Sequence, residues 1–207
     1  MHRQTIDAYD ADAQHWLATR YARDEVDPAP RRFRASVGGG LIVDLGCGPG
    51  QLLGDLGAPT IGLDPSTGML GLARDATVAP LIQGDAEALP FADGSLAGVW
   101  ANFSLQHLPR PGFCNALEQI RRALRPGGQL AVTMQNGDAP AFQDQPEGVR
   151  PNDDMPVGRW FTYWKTEDAI ATLTGAGFAV VEVENLGFAN RFLACTPEES
   201  VGENLPN

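Results

Sequence analysis

The chain has 207 residues, of which 43% are hydrophobic, and a formal net charge of −11, which fits one globular domain that buries its own core. No apolar run approaches the roughly 20 residues that span a bilayer, and the first residues lack a signal-peptide core, so we expect a cytoplasmic protein. The acidic excess disfavours RNA or DNA as a substrate, because nucleic-acid binding needs a basic face. The three cysteines form no C-x-x-C pair, which predicts neither a disulfide nor a metal site.

Residues 1–36 carry apolar side chains at near-helical spacing, which predicts a helical cap that Pro28 and Pro30 end. Residues 37–135 then alternate between strand-like and helix-like segments. Strands are expected at 41–45, 60–63, 78–83, 96–100 and 129–134. This alternation predicts a parallel sheet with right-handed crossovers, and we take 37–135 as the cofactor-binding core.

Residues 136–165 are rich in Pro, Gly, Asp and Gln and show no periodicity, so we expect an irregular lid segment. Residues 166–207 are predicted to form a C-terminal helix followed by strands at 178–184 and 191–195. The complete order predicts a single α/β domain over 1–207. Its expected architecture is a Rossmann-like, doubly wound sheet of seven mostly parallel strands with the helical cap at the N-terminal side.

The turn after the strand at 41–45 is the most informative segment. It reads Asp44-Leu45-Gly46-Cys47-Gly48-Pro49-Gly50, with three glycines in five residues behind a carboxylate. Glycine adopts positive φ and lets a ligand approach the main chain, so this turn is predicted to bind a ligand through its backbone. The dinucleotide fingerprint G-x-G-x-x-G would need a third glycine at position 51, which is Gln51 here.

Polar side chains stand at or just past three further strands, at Asp64, Asp85 and Asn102. Ligands of open parallel sheets bind outside the carboxyl ends of the strands, so these side chains are candidate ligand contacts. Asp64 lies where a βαβ unit places a carboxylate for ribose hydroxyls. The alternative is that Asp64 is a helix N-cap, and the segment around Asp85 can be read as a polar turn.

Four motifs in this order resemble class I S-adenosylmethionine (SAM)-dependent methyltransferases of the small-molecule type. They are Val-Asp-Leu-Gly-Cys-Gly-Pro-Gly (43–50), Gly-Leu-Asp-Pro-Ser-Thr-Gly-Met-Leu (62–70), Gly-Asp-Ala-Glu-Ala-Leu-Pro-Phe (84–91) and Arg-Pro-Gly-Gly (125–128). The resemblance covers roughly residues 40–135 and continues more loosely on both sides. It implies an enzyme that transfers a methyl group from SAM to a small-molecule acceptor.

The resemblance also implies which residues contact the cofactor. Those expected at the methionine part are Asp44, Gly46, Cys47, Gly48 and Asn102. Those expected at the ribose and adenine are Asp64, Pro65, Met69, Asp85 and Ala86. Tyr9 and Arg20 are weaker candidates for closing over the cofactor, and Met69 can equally be a core residue.

Methyl transfer is an in-line displacement, so alignment and exclusion of water can supply roughly 7–11 kcal/mol without a metal or a covalent intermediate. A general base would help a hydroxyl or acid acceptor, and His107 is the candidate. The alternative, which we slightly prefer, is that His107 orders the backbone after the strand at 96–100. We expect Trp16, Trp160 and Tyr163 to supply an aromatic acceptor surface between cap and lid, although such rings often only pack the core.

Two other functions stay open at this point. A nicotinamide-dependent oxidoreductase would use the same glycine turn and Asp64, but Gln51 argues against it. A non-catalytic SAM-binding protein is compatible with the lack of an unmistakable base. The sequence predicts neither the acceptor, nor the methylated atom, nor the oligomeric state.

Overall fold

A computed structural model describes residues 3–20, 27–138, 140–143 and 158–198. Seven strands form its central sheet: β1 (Ile42–Leu45), β2 (Thr60–Asp64), β3 (Leu81–Gln83), β4 (Leu96–Asn102), β5 (Leu124–Gln135), β8 (Ala179–Asn185) and β9 (Ala189–Cys195). Their order is β3-β2-β1-β4-β5-β9-β8. Strands β1 to β5 are parallel, and β9 runs antiparallel to β5 and β8. The predicted seven-stranded, mostly parallel sheet is confirmed.

Helices cover both faces of this sheet. They are α1 (Arg3–Arg20), α2 (Ala29–Val37), α3 (Leu53–Leu56), α4 (Thr67–Ala76), α5 (Arg110–Ala123) and α6 (Thr166–Gly175). Ile42 of β1 belongs to the apolar cluster beneath α2 and α3, whereas Val43 belongs to the cluster beneath α5 and α6. All four residues of β1 are therefore buried, which explains why this strand reads as a continuous apolar run rather than an alternating one.

In the described part of the N-terminal cap there are two helices, α1 and α2. Pro28 precedes α2 and Pro30 lies in its first turn, where a missing N–H costs no helical hydrogen bond and the proline φ suits the helix. The prediction that these prolines end the helical segment was wrong, because they begin α2. Among the described residues, no helix combines the length and apolar character needed to cross a bilayer.

The segment predicted to be an irregular lid contains two short strands. Strands β6 (Pro140–Gln143) and β7 (Arg159–Thr162) pair antiparallel, with Phe142 opposite Trp160, and β7 contacts α1 and the 3-10 turn Leu105–His107. Residues 139 and 144–157 lie outside the described part of the chain. For 140–143 and 159–162 the prediction of irregular structure was wrong, because the pairing partner lies far away in sequence and leaves no local periodic signal.

Candidate active site

The glycine turn lies at the carboxyl edge of the sheet and closely approaches Ser104, just past the end of β4. Gly46 has φ +76° and Gly48 has φ +53°, a region that glycine adopts without strain. A Cβ on Gly46 would overlap Cβ of Ser104, whereas a Cβ on Gly48 would meet nothing within 4 Å. The turn is thus packed on one side and opens into free space beside Gly48, where a ligand can reach the main chain.

Asp64 ends β2 and connects the glycine turn with the next helix. Its Oδ2 accepts a hydrogen bond from the N–H of Gly48 at 2.9 Å, and its Oδ1 accepts one from the N–H of Ser66 at 2.8 Å. A carboxylate has about four lone-pair sites, so acceptor capacity is left for ligand hydroxyls. Burial raises the pKa of Asp64 to about 6 in spite of these two bonds.

The N-cap of α4 is Ser66 and not Asp64. The Ser66 Oγ accepts a hydrogen bond from the N–H of Met69 at 3.1 Å, which is the bond that defines an N-cap side chain. The alternative reading of Asp64 as the cap was therefore wrong. Asp64 instead supports the loop that leads to the cap.

Three buried oxygens near this turn have no hydrogen-bond partner among the described residues. They are Asp44 Oδ2, Gln51 Oε1 and Asn102 Oδ1. Asp44 pairs with Trp100 across the β1–β4 ladder, so Asn102 lies just past the end of β1 on the neighbouring strand. Burial, assisted by the charge of Asp64, raises the pKa of Asp44 to about 8. Unsatisfied buried acceptors are costly, so this cluster suits a ligand that brings hydrogen-bond donors, such as an ammonium group.

Gln51 is a site residue that sequence reasoning missed. Its only signal was that it stands where a dinucleotide site would have glycine. The structure shows instead a half-buried side chain whose oxygen is orphaned. The neighbouring Cys47 is buried, and burial raises the pKa of its thiol, so it is a neutral small side chain at physiological pH.

The residues expected at the adenine surround the ends of β2 and β3. Met69 and Ala86 are buried, and Pro65 is half-buried with its carbonyl accepting from Gln83 Nε2 at 3.2 Å. Asp85 closes a tight turn in which its Oδ1 accepts from the N–H of Glu87 at 3.1 Å. These residues lie at the same sheet edge as Asp64, and their contacts with a cofactor stay a prediction.

Helix α1 is fastened over this edge by polar contacts. Asp10 Oδ1 accepts from the N–H of Gly68 at 2.8 Å and from Ser66 Oγ at 2.6 Å. The helices are so close that a Cβ on Gly68 would lie 3.1 Å from the Cα of Asp10. On the other side, the N–H of Trp160 donates to Thr5 Oγ1 at 3.0 Å. The cap thus bridges the start of α4 and strand β7.

His107 lies beneath the cap with both ring nitrogens engaged. Nδ1 is 2.8 Å from the carbonyl oxygen of Trp160, which can only accept, so Nδ1 carries the proton. Nε2 is 2.8 Å from Tyr9 Oη and accepts from it, and Tyr9 Oη accepts in turn from Arg159 Nη1 at 3.1 Å. Burial lowers the pKa of His107 to about 4, so the ring is neutral at pH 7.

The predicted aromatic acceptor surface is divided in the structure. Trp16, Trp160 and Tyr163 are half-buried, and Trp160 Nε1 donates to Thr162 Oγ1 at 2.8 Å. Trp164, from the same aromatic run, is buried and packs against the ring of Phe113. The side chain of Arg20 lies outside the described part of the chain. The acceptor roles of Trp16, Trp160 and Tyr163 stay a prediction.

Comparison with known proteins identifies the core of this arrangement. Residues 43–132 match the family model described as a methyltransferase domain. The malonyl-[acyl-carrier protein] O-methyltransferase of Enterobacter lignolyticus is 30% identical over 166 residues, which are 78% of this chain and 64% of that enzyme. Residues 43–132 form a methyltransferase domain. Across the curated relatives that it matches, the chain spans only 38% to 64% of their length.

Solved structures show that the methyltransferase fold extends beyond the matched residues. The DhpI–SAH complex superposes with a TM-score of 0.75 at 21% identity, covering 95% of this chain and 97% of that one. The 1,6-didemethyltoxoflavin-N1-methyltransferase of Burkholderia thailandensis superposes with a TM-score of 0.70 at 16% identity, covering 93% and 85%. At these identities the likeness establishes the fold, whereas the reaction must be argued from the site.

Proposed function

We propose that this protein transfers a methyl group from SAM to a small-molecule acceptor. The observation that carries the proposal is open space at Gly48 at a sheet edge whose buried carboxylate and amide oxygens can accept further hydrogen bonds. Asp64 retains acceptor capacity, and Asp44 and Asn102 hold orphaned oxygens. SAM offers a ribose diol and an ammonium group, which are the donors that these acceptors need.

The proposed cofactor contacts follow from where the side chains lie. Asp44, Gln51 and Asn102 would hold the amino-acid end, and Asp64 would accept from the ribose hydroxyls. The adenine would lie among the residues at the ends of β2 and β3, which are Pro65, Met69, Asp85 and Ala86. Bound SAM supplies a methyl group that its sulfonium makes electrophilic. The protein's own task is to align the acceptor with that methyl group and to exclude water, which the cap assists.

For His107 we propose a positioning role. A general base needs an accessible nitrogen that can take a proton near the working pH. Both nitrogens of His107 are engaged, and its pKa is lowered to about 4. The ring instead connects Tyr9 of the cap with Trp160 of β7. Its use as a catalytic base stays a prediction that a pH–rate profile of His107→Gln would test.

A small molecule as the acceptor is supported by what the named relatives act on. One similar structure holds the small molecule 1,6-didemethyltoxoflavin with S-adenosylhomocysteine, and one similar enzyme is named for a malonyl group carried on acyl-carrier protein. No group of three or more His, Cys, Asp or Glu residues in the described ranges could hold a metal ion, and a SAM-dependent displacement does not require one. The cytoplasmic location and the exclusion of nucleic acid as substrate stay predictions from the sequence.

The deciding experiment is a binding and turnover test on the full chain. S-adenosylhomocysteine (SAH) at about 100 times its dissociation constant should stabilise the protein by roughly 2.7 kcal/mol, which a thermal shift assay detects. NAD serves as the control ligand, since its binding in place of SAH would support the oxidoreductase alternative. Formation of SAH from SAM with a panel of small acceptors then tests catalysis. A protein that binds neither SAM nor SAH would contradict the proposal.

A further inference from the structure

Arg159 is a buried cation whose charge no described carboxylate neutralises. Its side chain stands at the start of β7 and is only 1% exposed, and its Nε is buried without a partner. Arg191, the second buried arginine of the described residues, is paired twice, with Asp27 at 2.7 Å and with Glu184 at 2.8 Å. Burying an unpaired charge is expensive, so such a group normally has an anionic partner. The contrast indicates that the partner of Arg159 is not part of the described chain.

The hydrogen-bonding pattern shows which edge of the guanidinium lacks a partner. Nη1 donates to Tyr9 Oη, which is the one hydrogen bond of this guanidinium to a described residue, and Nε is buried without a partner. Nε and Nη2 form one edge of the planar group, and two N–H donors side by side match the two oxygens of a carboxylate. The Nε–Nη2 edge, which has no partner among the described residues, therefore presents the two donors that a carboxylate binds in bidentate fashion.

Aromatic rings surround this group. The guanidinium carbon lies 5.2 Å from the ring centroid of Tyr9 and 5.3 Å from that of Phe161. The ring centroids of His107 and Phe161 lie 4.7 Å apart. The pKa of His107 is lowered mainly by burial and additionally by the charge of Arg159. These rings limit the access of water, which strengthens any ion pair formed here.

The position of Arg159 relates it to the proposed reaction. Its partner Tyr9 precedes Asp10, which contacts the start of α4 just after Asp64. Tyr9 also holds His107, in the 3-10 turn that follows Asn102 and the end of β4. Through Tyr9 of the cap, Arg159 is thus connected to the start of α4 and to the turn after β4. These are the two sides of the sheet edge at which donor and acceptor would meet.

We propose that the Nε–Nη2 edge of Arg159 binds a carboxylate of a bound small molecule. This inference rests on the proposed function and deepens it. The carboxylate has two possible sources, the amino-acid part of SAM or the methyl acceptor itself. In the second case the acceptor is a carboxylic acid whose body lies against aromatic rings.

The test compares Arg159→Met and Arg159→Lys with a matched control. Arg110→Met serves as the control, because the Arg110 guanidinium also stacks on a ring, that of Trp164 at 4.2 Å, but has its own carboxylate in Asp168 at 3.7 Å. Calorimetric titration measures the affinity for SAH and for 5′-methylthioadenosine, which has the nucleoside but no amino-acid part. If SAM supplies the carboxylate, Arg159→Met weakens SAH binding at least about tenfold and leaves 5′-methylthioadenosine unchanged.

The second arm uses protein saturated with SAH. Acetate and phenylacetate are titrated, with acetamide and phenylacetamide as uncharged controls. If the acceptor supplies the carboxylate, the wild type prefers the acids at least about tenfold, Arg159→Met loses this preference, and SAH affinity is unchanged. Arg159→Lys keeps the charge but not the planar fork, so it should cause an intermediate loss of SAH affinity or of the preference for acids, according to the source of the carboxylate. If circular dichroism shows that Arg159→Met is unfolded, Arg159→Lys replaces it.

Unchanged SAH affinity in the Arg159 variants, together with no preference for the acids in the wild type, would overturn the inference. Equal losses in Arg110→Met would also overturn it, since they would show a general effect of removing a stacked arginine. If the wild type binds neither SAM nor SAH, the proposed function fails separately. The acid and amide titrations are then made on the ligand-free protein, and their outcome alone decides the role of Arg159.

Discussion

Replacing Asp64 by Asn separates the two tasks of this carboxylate. Asp64 supports the loop through the N–H groups of Gly48 and Ser66, and it is proposed to accept from the ribose of SAM. Asn has nearly the same shape but no charge, and one of its two polar atoms donates instead of accepting. We expect Asp64→Asn to fold with near wild-type stability and to bind SAH poorly.

The magnitude follows from the burial and hydrogen bonds of Asp64. Its pKa rises from 3.8 to about 6, which corresponds to about 3 kcal/mol of unfavourable free energy for the ionised form. Asn removes this net cost, in which both hydrogen bonds are already included. It also leaves one backbone N–H facing an amide donor, which costs about 1–3 kcal/mol, so the free energy of unfolding should change by less than about 2 kcal/mol. The lost ribose contact should weaken SAH binding about ten- to a hundredfold.

The raised pKa also predicts a pH dependence. Between about pH 4 and 6 the native protein holds the Asp64 proton more tightly than the unfolded chain, so this residue makes stability fall as pH rises through that window. Asp64→Asn should remove that part of the slope. Urea unfolding at several pH values and calorimetric titration of SAH measure both effects, with Asp75→Asn at the exposed end of α4 as the control. A large loss of stability with unchanged SAH affinity would refute the reasoning and leave Asp64 a purely structural residue.

Gly46→Ala should abolish folding or strongly lower the melting temperature, because its Cβ would overlap Ser104, whereas Gly48→Ala should cost only about 1–2 kcal/mol yet weaken SAH binding. Urea unfolding and calorimetry distinguish these variants, and equal stabilities would contradict the packing argument. Asp10→Asn should loosen the cap, seen as faster hydrogen exchange of α1 amides and a severalfold weaker SAH affinity; unchanged exchange would argue against the contact. Asp44, whose pKa is raised to about 8, should release a proton at pH 7 when the ammonium of SAH pairs with it. Titration in buffers of different ionisation enthalpy should show that release in the wild type and not in Asp44→Asn.

The strand segments along the chain and the sheet edge that carries the candidate site could be predicted because their signals are local. A buried parallel strand such as β1 is an apolar run, and a turn that must adopt positive φ requires glycine at Gly46. The rule that ligands bind at the carboxyl ends of parallel strands then brought Asp44, Asp64 and Asn102 to one edge. All three lie there in the structure.

Other features depend on contacts that no local pattern reports. Pro28 and Pro30 suit the start of a helix as well as its end, and only the packing of α2 on the sheet decides between them. Strands β6 and β7 form through each other's backbone groups, and their short, Pro- and Gly-flanked segments carry no period of their own. That Gln51 Oε1 is buried without a partner among the described residues follows only from the folded structure, because distant residues form its surroundings.

By itself, the sequence determined the sheet, its glycine turn and the edge at which we propose that a ligand binds, because these depend on backbone conformation and periodic burial along short segments. The tertiary structure decided what surrounds that edge. It paired Tyr9 with His107 across 98 positions and gave Arg191 two carboxylates, whereas no carboxylate of the described residues pairs with the buried Arg159. The charge state and partners of a buried polar group depend on the three-dimensional environment around it, which residues distant in sequence build together.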